Sequence, residues 1–328
     1  MKIIKLNSTN PEINLASEHY YLTEEQYLKD DLFLFWKNKN TIVIGKNQNF
    51  AGEVNQIFAN ELNVSCVRRN SGGGAVFQDS GNICFTFIKR NKKDKFNFKE
   101  CLIDIVDFLN SVGIKANFSG RNDIIVNEKK VSGNAVLFYK NDYLIHGTLL
   151  FDVDIEKMVK LLTVDKTKLT SKGIESVKSR VENIKNLVDL NQNDFEEKFI
   201  KFFENKYNSK RENIDLTNNK KIKKLVEEKF GNKNWIYGRD FDFTYTNKIR
   251  IPSGSLEIKL KTNNNKITDI YFTSDGLFCE NLNEFENLFL NQRYEINNIK
   301  EIVKNYNLNT ILENLTAENI IELFFKNY

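Results

Sequence analysis

The sequence predicts an α+β protein with a large domain followed by a small one, and three observations support this prediction. Short apolar runs typical of strands alternate with helical patterns over residues 13–230. A glycine-rich loop joins two of these runs in the first third of the chain. After an aromatic segment at 235–243, two alternating strands and two helical patterns form a separate group. We therefore predict domains at 1–246 and 247–328.

Length, composition and charge limit the classes of protein to consider. At 328 residues, with 41% hydrophobic and 28% charged residues, the chain is long enough for these two domains and is typical of a soluble globular protein. The longest apolar runs are shorter than a membrane span, and residues 1–5 lack the apolar core of a signal peptide, which predicts a cytoplasmic protein. The net charge of +4 permits an anionic substrate or an acidic partner and does not require nucleic acid or a membrane surface.

The cysteines and histidines limit the metal chemistry that we expect. The four cysteines are scattered without a Cys-x-x-Cys pair, which fits a reducing compartment and argues against structural zinc. Only two histidines are present, His19 and His146, which argues against a histidine metal cluster.

The first half of the chain begins with an amphipathic helix predicted over 13–30 and has a further helix over 53–63. The predicted strands share short apolar runs bounded by polar residues and lie at 32–36, 41–44, 64–67 and 83–88. A helix over 97–112 follows, with Asn97 and Glu100 as capping residues and Gly113 at its end.

The second half continues with a hairpin around the turn 127–130, which places Lys130 at the head of the hairpin's second strand. A strand over 143–151 contains His146. The remaining predicted elements are helices at 194–207 and 220–230, strands at 254–260 and 266–273, and helices at 282–290 and 316–325.

The glycine stretch, residues 68–82, has the sequence Arg-Arg-Asn-Ser-Gly-Gly-Gly-Ala-Val-Phe-Gln-Asp-Ser-Gly-Asn. Three consecutive glycines lack β-carbons, so their N–H groups can approach an anion closely. The arginine pair adds forked donors suited to carboxylate or phosphate. The stretch has neither the Lys-Ser/Thr of a P-loop nor the Gly-x-Gly-x-x-Gly of a dinucleotide fold. Three glycines alone are equally typical of a hairpin connection, but the flanking arginines and polar residues favour a ligand site.

Two other segments have ordinary structural interpretations beside functional ones. A lysine at a hairpin end, such as Lys130, is usually a solvated edge charge. The small residues Ser132, Gly133 and Ala135 nevertheless leave room for a ligand beside it. A lone strand histidine, such as His146, is usually a satisfied core residue.

The glycine stretch resembles the signature of the lipoate–protein ligase family, Arg-Arg-x-Ser-Gly-Gly-Gly-Ala-Val followed by Asp-x-Gly-Asn. The family shares a superfamily with biotin protein ligase. Three further motifs match in the family's order and extend the resemblance over nearly the whole chain. They are Gly-Arg-Asn-Asp at 120–123 with Lys-Val-Ser-Gly at 130–133, His-Gly-Thr-Leu-Leu at 146–150, and Lys-Gly-Ile-Glu-Ser-Val-Lys-Ser-Arg-Val-Glu-Asn at 172–183.

The resemblance implies a catalytic domain of mixed β-sheets flanked by helices, followed by a small α+β accessory domain. It also implies a two-step reaction. Lipoate and ATP, with Mg²⁺, form lipoyl-adenylate, and a lysine amine of an acceptor then takes the lipoyl group and releases AMP. The implied acceptors are the lipoyl domain of a 2-oxoacid dehydrogenase E2 subunit or the glycine-cleavage H protein.

The resemblance also implies roles for residues. Lys130 would be catalytic, bridging the lipoate carboxylate and the α-phosphate, and Asp123 could help to hold magnesium. An apolar slot for the lipoyl tail would be lined by Val76, Phe77 and Phe35. The positions implied to bind lipoate or the adenylate are Arg69, Ser71, Gly72, Gly73, Gly74, Ala75, Val76, Phe77, Gln78, Asn82, Asn122, Asp123, Ser132, Gly133, Ala135, His146, Gly147, Thr148, Lys172, Ser176, Lys178 and Arg180.

One position departs from the family pattern, because Gln78 stands where the family usually has histidine. Glutamine has a hydrogen-bond donor and an acceptor but gains no charge near neutral pH. If charge matters at this position, adenylation would be slow or the preferred substrate would differ.

Three alternatives stay open at this point. An ATP-independent lipoyl or octanoyl transferase of the same superfamily would use a cysteine thioester, with Cys84 as the candidate, although a buried strand cysteine is the stronger interpretation. A non-enzymatic binder of lipoate or lipoyl-adenylate is the second alternative. Biotin ligase is a remote third, because its glycine motif differs.

Overall fold

The computed structural model describes residues 1–90, 96–162, 179–239 and 242–326. These residues form two compact units. The first unit comprises Met1–Ile44, Glu53–Arg69 and Ala75–Ile236, and the second comprises Gly45–Gly52, Asn70–Gly74 and the chain from Tyr237 onward.

The described strands and helices are numbered in chain order. The strands are β1 (Lys2–Leu6), β2 (Leu32–Trp36), β3 (Thr41–Ile44), β4 (Ser65–Arg68), β5 (Val76–Gln78), β6 (Asn82–Lys89), β7 (Asn117–Ser119), β8 (Asp123–Val126), β9 (Lys129–Tyr139), β10 (Asp142–Leu150), β11 (Arg211–Ile214), β12 (Tyr245–Ile251), β13 (Gly254–Asn263) and β14 (Lys266–Ser274). The helices are α1 (Pro11–Thr23), α2 (Phe50–Glu53), α3 (Gln56–Glu61), α4 (Phe98–Ser111), α5 (Ile155–Leu162), α6 (Gln192–Tyr207), α7 (Lys220–Leu225), α8 (Lys233–Tyr237), α9 (Leu282–Asn287), α10 (Ile296–Lys304) and α11 (Ala317–Phe325).

The first unit is built on a mixed sheet whose eight described strands have the order β11-β1-β2-β6-β10-β9-β8-β7. The β11-β1 and β1-β2 pairs are parallel and the remaining pairs are antiparallel. A second sheet has the order β4-β3-β5. The central strands are buried on both faces, which explains their nearly continuous apolar sequences.

The two faces of the large sheet have different coverings. On one face, aromatic rings of β2 and β6 pack against aromatic rings of α6. Phe33 stacks on Phe203 with ring centroids 4.0 Å apart, and Phe35 lies 6.1 Å from Phe199. The opposite face shares an apolar cluster with α1 that includes Leu15, Leu34 and Trp36.

The second unit has an antiparallel sheet of order β12-β13-β14. Alternate residues of these strands, among them Ile249, Leu256 and Phe272, form a core with residues from α9, α10 and α11. Their spacing of two is the strand period, which the sequence shows clearly for β13 and β14.

Several predicted elements are confirmed, and others differ in extent. The strands β2 and β3 and the helix α4 occur as predicted, and Asn97 caps α4 by accepting from the N–H groups of Lys99 and Glu100. The predicted helix over 13–30 is too long. It ends at Thr23 because Glu24 is extended, with φ −75° and ψ 130°.

Other helices and strands differ from the sequence-based prediction in extent or were not predicted. The predicted helix over 53–63 is split into α2 and α3, and the one over 220–230 continues as a π-helical turn at Val226–Phe230. Residues 296–304 form α10, which the sequence analysis did not predict. The sheet-edge strands β7 and β11 are three and four residues long, too short to give a pattern.

The last segment of the first unit ends at Ile236, and the second unit continues from Tyr237, while the predicted domain boundary at 246/247 stays a prediction. Contacts within the second unit hold the residues just after 236. Tyr237 packs on Phe50 with ring centroids 4.4 Å apart, and the Arg239 guanidinium donates to the buried carboxylate of Glu286. Residues between 237 and 246 therefore belong with the second unit.

No helix in the described part of the chain is both long enough and apolar enough to cross a membrane.

Candidate active site

Seven of the predicted site residues of the first unit share one face of the large sheet. Residues directly opposite one another on adjacent strands point to the same face. One such row crosses five strands and consists of Trp36, Cys84, Thr148, Gly133 and Asp123. The four strand spacings of the row amount to roughly 19 Å.

The next row on this face consists of Leu34, Thr86, His146 and Ala135. Asn82 lies two residues before Cys84 on β6 and therefore has the same orientation. The sheet thus brings the predicted positions Asn82, His146, Thr148, Ala135, Gly133 and Asp123 onto one surface.

A one-residue bulge brings Lys130 onto the same face. Asp123 pairs with Gly133 and Ile124 with Ser132, but Ile125 pairs with Lys130, so Val131 is an extra residue. In a regular strand, Lys130 and Gly133 would lie on opposite faces because they are three residues apart. The bulge aligns them.

The ammonium of Lys130 lies at the outer end of this face. Its Nζ is 2.8 Å from Oδ1 of Asp123, and the two side chains are 38% and 34% exposed. A β-carbon at Gly133 would stand 2.9 Å from that Nζ, closer than packed atoms approach. The space beside Gly133 is taken by the Lys130 side chain itself, and room for a ligand there stays a prediction.

The last residues of the motif at 172–183 pair with the backbone of Lys130. The Lys130 N–H donates to the Arg180 carbonyl at 2.8 Å, and the Glu182 N–H donates to the Lys130 carbonyl at 2.9 Å. Val181 forms an isolated parallel bridge with Lys130, and Lys129 pairs with Glu182 at 2.8 Å. Arg180 is thus beside Lys130, whereas the predicted Lys172, Ser176 and Lys178 lie outside the described residues.

A buried polar network that the sequence analysis missed lies on the covered part of the face. Glu18 of α1 is 4% exposed. Its carboxylate accepts from Thr86 Oγ1 at 2.6 Å and lies 2.9 Å from Nδ1 of His146. Trp36 Nε1 in turn donates to Thr86 Oγ1 at 2.8 Å. Because a carboxylate only accepts, Nδ1 carries a proton and the His146 ring is fixed.

The helical spacing of α1 alone does not identify Glu18. It lies three and four residues from Leu15 and Asn14 and from Tyr21 and Leu22, all of which are buried on α1. The residues buried on α1 lie on several sides of the helix, however, so this spacing does not mark a single apolar face.

The two arginines of the glycine stretch have different roles. Arg68 is structural, because its Nε and Nη2 atoms donate to the backbone carbonyls of Trp235 and Ile236, at 2.8 Å and 2.7 Å. Its expected contribution to anion binding stays a prediction. Arg69 is 5% exposed and donates from Nη1 to the Val43 carbonyl at 3.1 Å. Burial lowers the pKa of Arg69 to about 10, and the nearby carboxylate of Glu18 opposes this change.

Asn82 has a donor suited to a ligand. Its Oδ1 accepts from the Asp79 N–H at 3.4 Å. Its Nδ2 is buried and has no hydrogen-bond partner among the described residues. A buried amide without a partner is unusual, so this position is a good candidate for contact with a bound molecule.

Other predicted positions have structural contacts instead. Asn122 and Asn134 each donate a side-chain amide to the other's backbone carbonyl. Gly147 lies on the aromatic face, where a β-carbon would stand 1.9 Å from Oδ1 of Asn134, and Ser132 pairs with Leu149 on that same face. Gly147 and the Ser132 side chain therefore lie on the face opposite to the Lys130 surface.

The residues expected to line an apolar slot are separated. Phe35 lies on the aromatic face, so its assignment to the slot is wrong. Phe77 is 2% exposed in the smaller sheet, with the ammonium of Lys157 5.4 Å from its ring centroid. Val76, which follows Ala75, packs on the cluster that contains Trp36 and Cys84.

Gly72, Gly73 and Gly74 of the glycine stretch belong to the second compact unit. The Gly73 N–H donates to the Gly276 carbonyl at 3.1 Å, and a β-carbon at Gly72 would stand 2.5 Å from that carbonyl oxygen. Ser71 is 1% exposed, and its carbonyl accepts from the Lys46 N–H at 2.9 Å. Gly72 and Gly73 thus lie close to the backbone carbonyls of residues 276–277. A contact between Gly74 and a ligand stays a prediction.

Cys84 is fully buried, and burial raises the pKa of its thiol. A nucleophilic cysteine needs access and a stabilised thiolate. The structural interpretation of Cys84 is therefore favoured.

The donor set does not form a resident metal centre. No group of three or more His, Cys, Asp or Glu in the described ranges could hold a metal ion. Mg²⁺ that arrives with a nucleotide needs only one or two carboxylates, because the phosphates supply the other ligands. Asp123, at the exposed end of the face, fits that lesser role.

Comparisons with known proteins agree with this architecture. Residues 10–204 match the family model of the lipoyl protein ligase A/B catalytic domain, and residues 240–324 match that of the bacterial lipoate protein ligase C-terminus. Lipoate-protein ligase LplJ of Bacillus subtilis is 36% identical over 329 residues, which cover 97% of this chain and 98% of that protein.

Two solved structures have similar folds. A structure of LipL1 from P. falciparum in complex with lipoate has a TM-score of 0.81 and 26% identity, and the match covers 99% of each chain. A bipartite lipoate protein ligase from Thermoplasma acidophilum, described with its E2 lipoyl domain, has a TM-score of 0.63 and 23% identity. That match covers 75% of this chain and all of the other.

The fold and the two matched regions define a ligase with a catalytic domain and a C-terminal domain. The chain belongs to the lipoate–protein ligase family. The family and the α+β fold class predicted from the sequence are thereby confirmed.

Proposed function

We propose that this protein is an ATP-dependent lipoate–protein ligase that activates lipoate as lipoyl-AMP and transfers the lipoyl group to a lysine of an acceptor protein. The observation that supports this proposal most directly is the position of the Lys130 ammonium. It lies half-exposed at the outer end of the sheet face, 2.8 Å from the Asp123 carboxylate, whereas the other end of the face, at Trp36 and Cys84, is buried against α1. A half-exposed cation held in this way can meet the anionic end of a bound molecule.

Lys130 has the charge that the first step needs. The lipoate carboxylate attacks the α-phosphorus, and the bond to the departing pyrophosphate breaks. Two anions must meet in this step, so a cation between them stabilises the transition state. Asp123 and the space left by Gly133 orient the ammonium before the substrates arrive.

Magnesium on the nucleotide phosphates would neutralise part of their charge. Asp123 is our candidate for a protein carboxylate near it. Lys172, Ser176, Lys178 and Arg180 are our candidates for contacts with the nucleotide. Arg180 is supported by the backbone pairing of its segment with Lys130.

In the second step, the acceptor amine attacks the activated carbonyl, the C–N bond forms, AMP departs and the amine proton passes to solvent. We propose an E2 lipoyl domain or the glycine-cleavage H protein as acceptor. The Thermoplasma ligase, which was described with its E2 lipoyl domain, supports the first. We place the reaction in the cytoplasm, which suits four free cysteine thiols.

Exchange of labelled pyrophosphate into ATP tests the proposal directly. We expect exchange that depends on lipoate and magnesium. Absence of exchange in a folded sample would contradict adenylation and would favour the transferase or the binding protein.

Lys130→Ala tests the residue assignment in the same assay. We expect it to abolish exchange while the circular dichroism spectrum is retained. Lys115→Ala, a change at an exposed lysine of the same unit, is the matched control and should exchange normally. Exchange at a normal rate in Lys130→Ala would refute the role of Lys130.

A further inference from the structure

A chain of three buried amide side chains lies beside the proposed site and has not been assigned a role. Asn14, Asn38 and Gln78 are 0%, 1% and 4% exposed. Asn14 Nδ2 donates to Asn38 Oδ1 at 2.9 Å, and Asn38 Nδ2 donates to Gln78 Oε1 at 2.7 Å. This series of hydrogen-bonded amides therefore ends at Gln78, the residue that departs from the family pattern.

The contacts of Asn14 determine which end of each amide is the donor and which is the acceptor. Asn14 Nδ2 also lies 3.1 Å from the Ser8 carbonyl and 2.9 Å from the Lys37 carbonyl. Backbone carbonyls only accept, so the NH₂ group of Asn14 must face them. Asn38 must then present its oxygen to Asn14 and its NH₂ group to Gln78.

The consequence at Gln78 follows from the same constraint. Its Oε1 is used as the acceptor from Asn38, so Nε2, a pure donor, is the other end of the amide. The strand that ends at Gln78 also adjoins this sheet face, because Val76 of β5 packs on the cluster that contains Trp36 and Cys84.

Three charged groups near these amides have partners of their own. Lys37 pairs with Glu196 at 2.8 Å, and Glu18 bonds to His146. The Asp79 carboxylate accepts from the N–H groups of Gly81 and Asp154. The hydrogen-bond direction of Gln78 is thus set by neutral amides.

From this geometry we infer that Asn38 and Asn14 are positioning residues, which hold Gln78 so that it offers a neutral hydrogen-bond donor to the bound ligand. The inference rests on the proposed ligase function. It also accounts for glutamine at a histidine position. A neutral imidazole could accept from Asn38 with one nitrogen and donate with the other, whereas a protonated one would place an N–H against the Asn38 NH₂ group.

Asn38→Asp tests the inference by reversing the direction of the hydrogen bond between residue 38 and Gln78. A carboxylate still accepts from Asn14, but it also faces Gln78 with an acceptor, so the Gln78 amide must turn and offer its oxygen to the ligand. We expect kcat/KM for lipoate-dependent exchange to fall by about tenfold or more, because a donor is replaced by an acceptor against the ligand. Asn97→Asp, at the cap of α4, is the matched control and should keep the wild-type kcat/KM.

A pH profile separates positioning from a general structural effect. We expect Gln78→His alone to be active with the same pH dependence as the wild type between pH 6 and 8.5. In the double variant Asn38→Asp/Gln78→His, the new carboxylate favours the protonated imidazole, which again has a donor for the ligand. We therefore expect kcat/KM of the double variant to rise as the pH falls, a response absent from the wild type.

The outcomes distinguish failure of the ligase function from failure of the positioning role of Asn38. If the wild-type protein shows no exchange, the proposed function fails before this inference is reached. If the wild type is active and Asn38→Asp has the same kcat/KM, the positioning role is wrong. Should Asn38→Asp fail to fold, the profile of Gln78→His decides alone, because an additional rise toward acid pH would show that this position works through charge.

Discussion

The side chain of Lys130 occupies the space in which a β-carbon of residue 133 would stand. From that β-carbon position, Cε of Lys130 would be 2.8 Å away and its Nζ 2.9 Å away. Because the ammonium also lies 2.8 Å from Asp123, the glycine and the carboxylate together determine where the charge is held.

Gly133→Ala should therefore displace the Lys130 ammonium and slow adenylation. The obstructing atoms belong to the far end of a flexible side chain, so the fold can adapt by moving that side chain. We expect the rate of pyrophosphate exchange to fall by about 10- to 100-fold, as for a misplaced catalytic group, with little change in melting temperature.

Gly52→Ala is the control for this substitution. The atoms nearest to its added β-carbon are at 3.6 Å, an ordinary contact distance, so exchange should continue at the wild-type rate. Unchanged exchange in Gly133→Ala would show that the position of the ammonium is not critical.

The surroundings of Lys130 show what the sequence can and cannot predict. The hairpin turn before Lys130 is a local feature, and its presence was predicted correctly. The bulge at Val131 became visible only in the pairing with β8, because an extra residue is defined by the partner strand. The orientation of Lys130 therefore required the structure.

A similar limit applies to the glycine stretch. Three glycines predict that the backbone can come close to something, but not to what. Gly73 bonds to Gly276, some two hundred residues later in the sequence, and no local pattern indicates such a contact. The burial of Glu18 is also non-local, because the residues buried on α1 lie on several sides of the helix and include the polar Asn14 and Ser17.

Glu18→Gln should destabilise the first unit through Arg69. The glutamine oxygen can still accept from Thr86 and His146, so the hydrogen bonds are kept and the negative charge is lost. The carboxylate favours the charged form of Arg69, whose side chain is buried. We expect the free energy of unfolding in urea to fall by about 0.5–3 kcal/mol, because the buried guanidinium loses a favourable Coulomb interaction.

Glu25→Gln, at an exposed position just after α1, should change that free energy by less than about 0.5 kcal/mol. The double variant Glu18→Gln/Arg69→Met should lose less than the sum of the single changes, because the Coulomb interaction between the two groups can be lost only once. Strict additivity would argue against coupling between Glu18 and Arg69.

Cys84 should be inert towards thiol reagents in the folded protein. It is fully buried, and burial raises the pKa of its thiol, so little thiolate forms at pH 8. Burial also raises the pKa of Cys66 to about 11, but this residue is partly exposed and should react slowly. Mass spectrometry after iodoacetamide treatment would compare the two. Cys84→Ser should retain adenylation and transfer, whereas loss of transfer alone would support a thioester mechanism.

Gly72→Ala and Gly74→Ala form a matched pair in the glycine stretch. At Gly72 the β-carbon would stand 2.5 Å from the carbonyl oxygen of Gly276 and 2.6 Å from that of Leu277. These are backbone atoms, and they cannot rotate away as a side chain can. At Gly74 no atom lies within 4 Å of the added carbon, and its φ is outside the left-handed region.

We therefore expect Gly72→Ala to lower the free energy of unfolding by about 1–3 kcal/mol, the usual effect of overpacking. Gly74→Ala should leave that free energy unchanged or raise it by about 0.4–1 kcal/mol through the unfolded chain. Urea unfolding of both variants measures the difference. Equal losses would mean that both positions need glycine for their backbone conformation, and that the contact with residues 276–277 does not determine the stability of this loop.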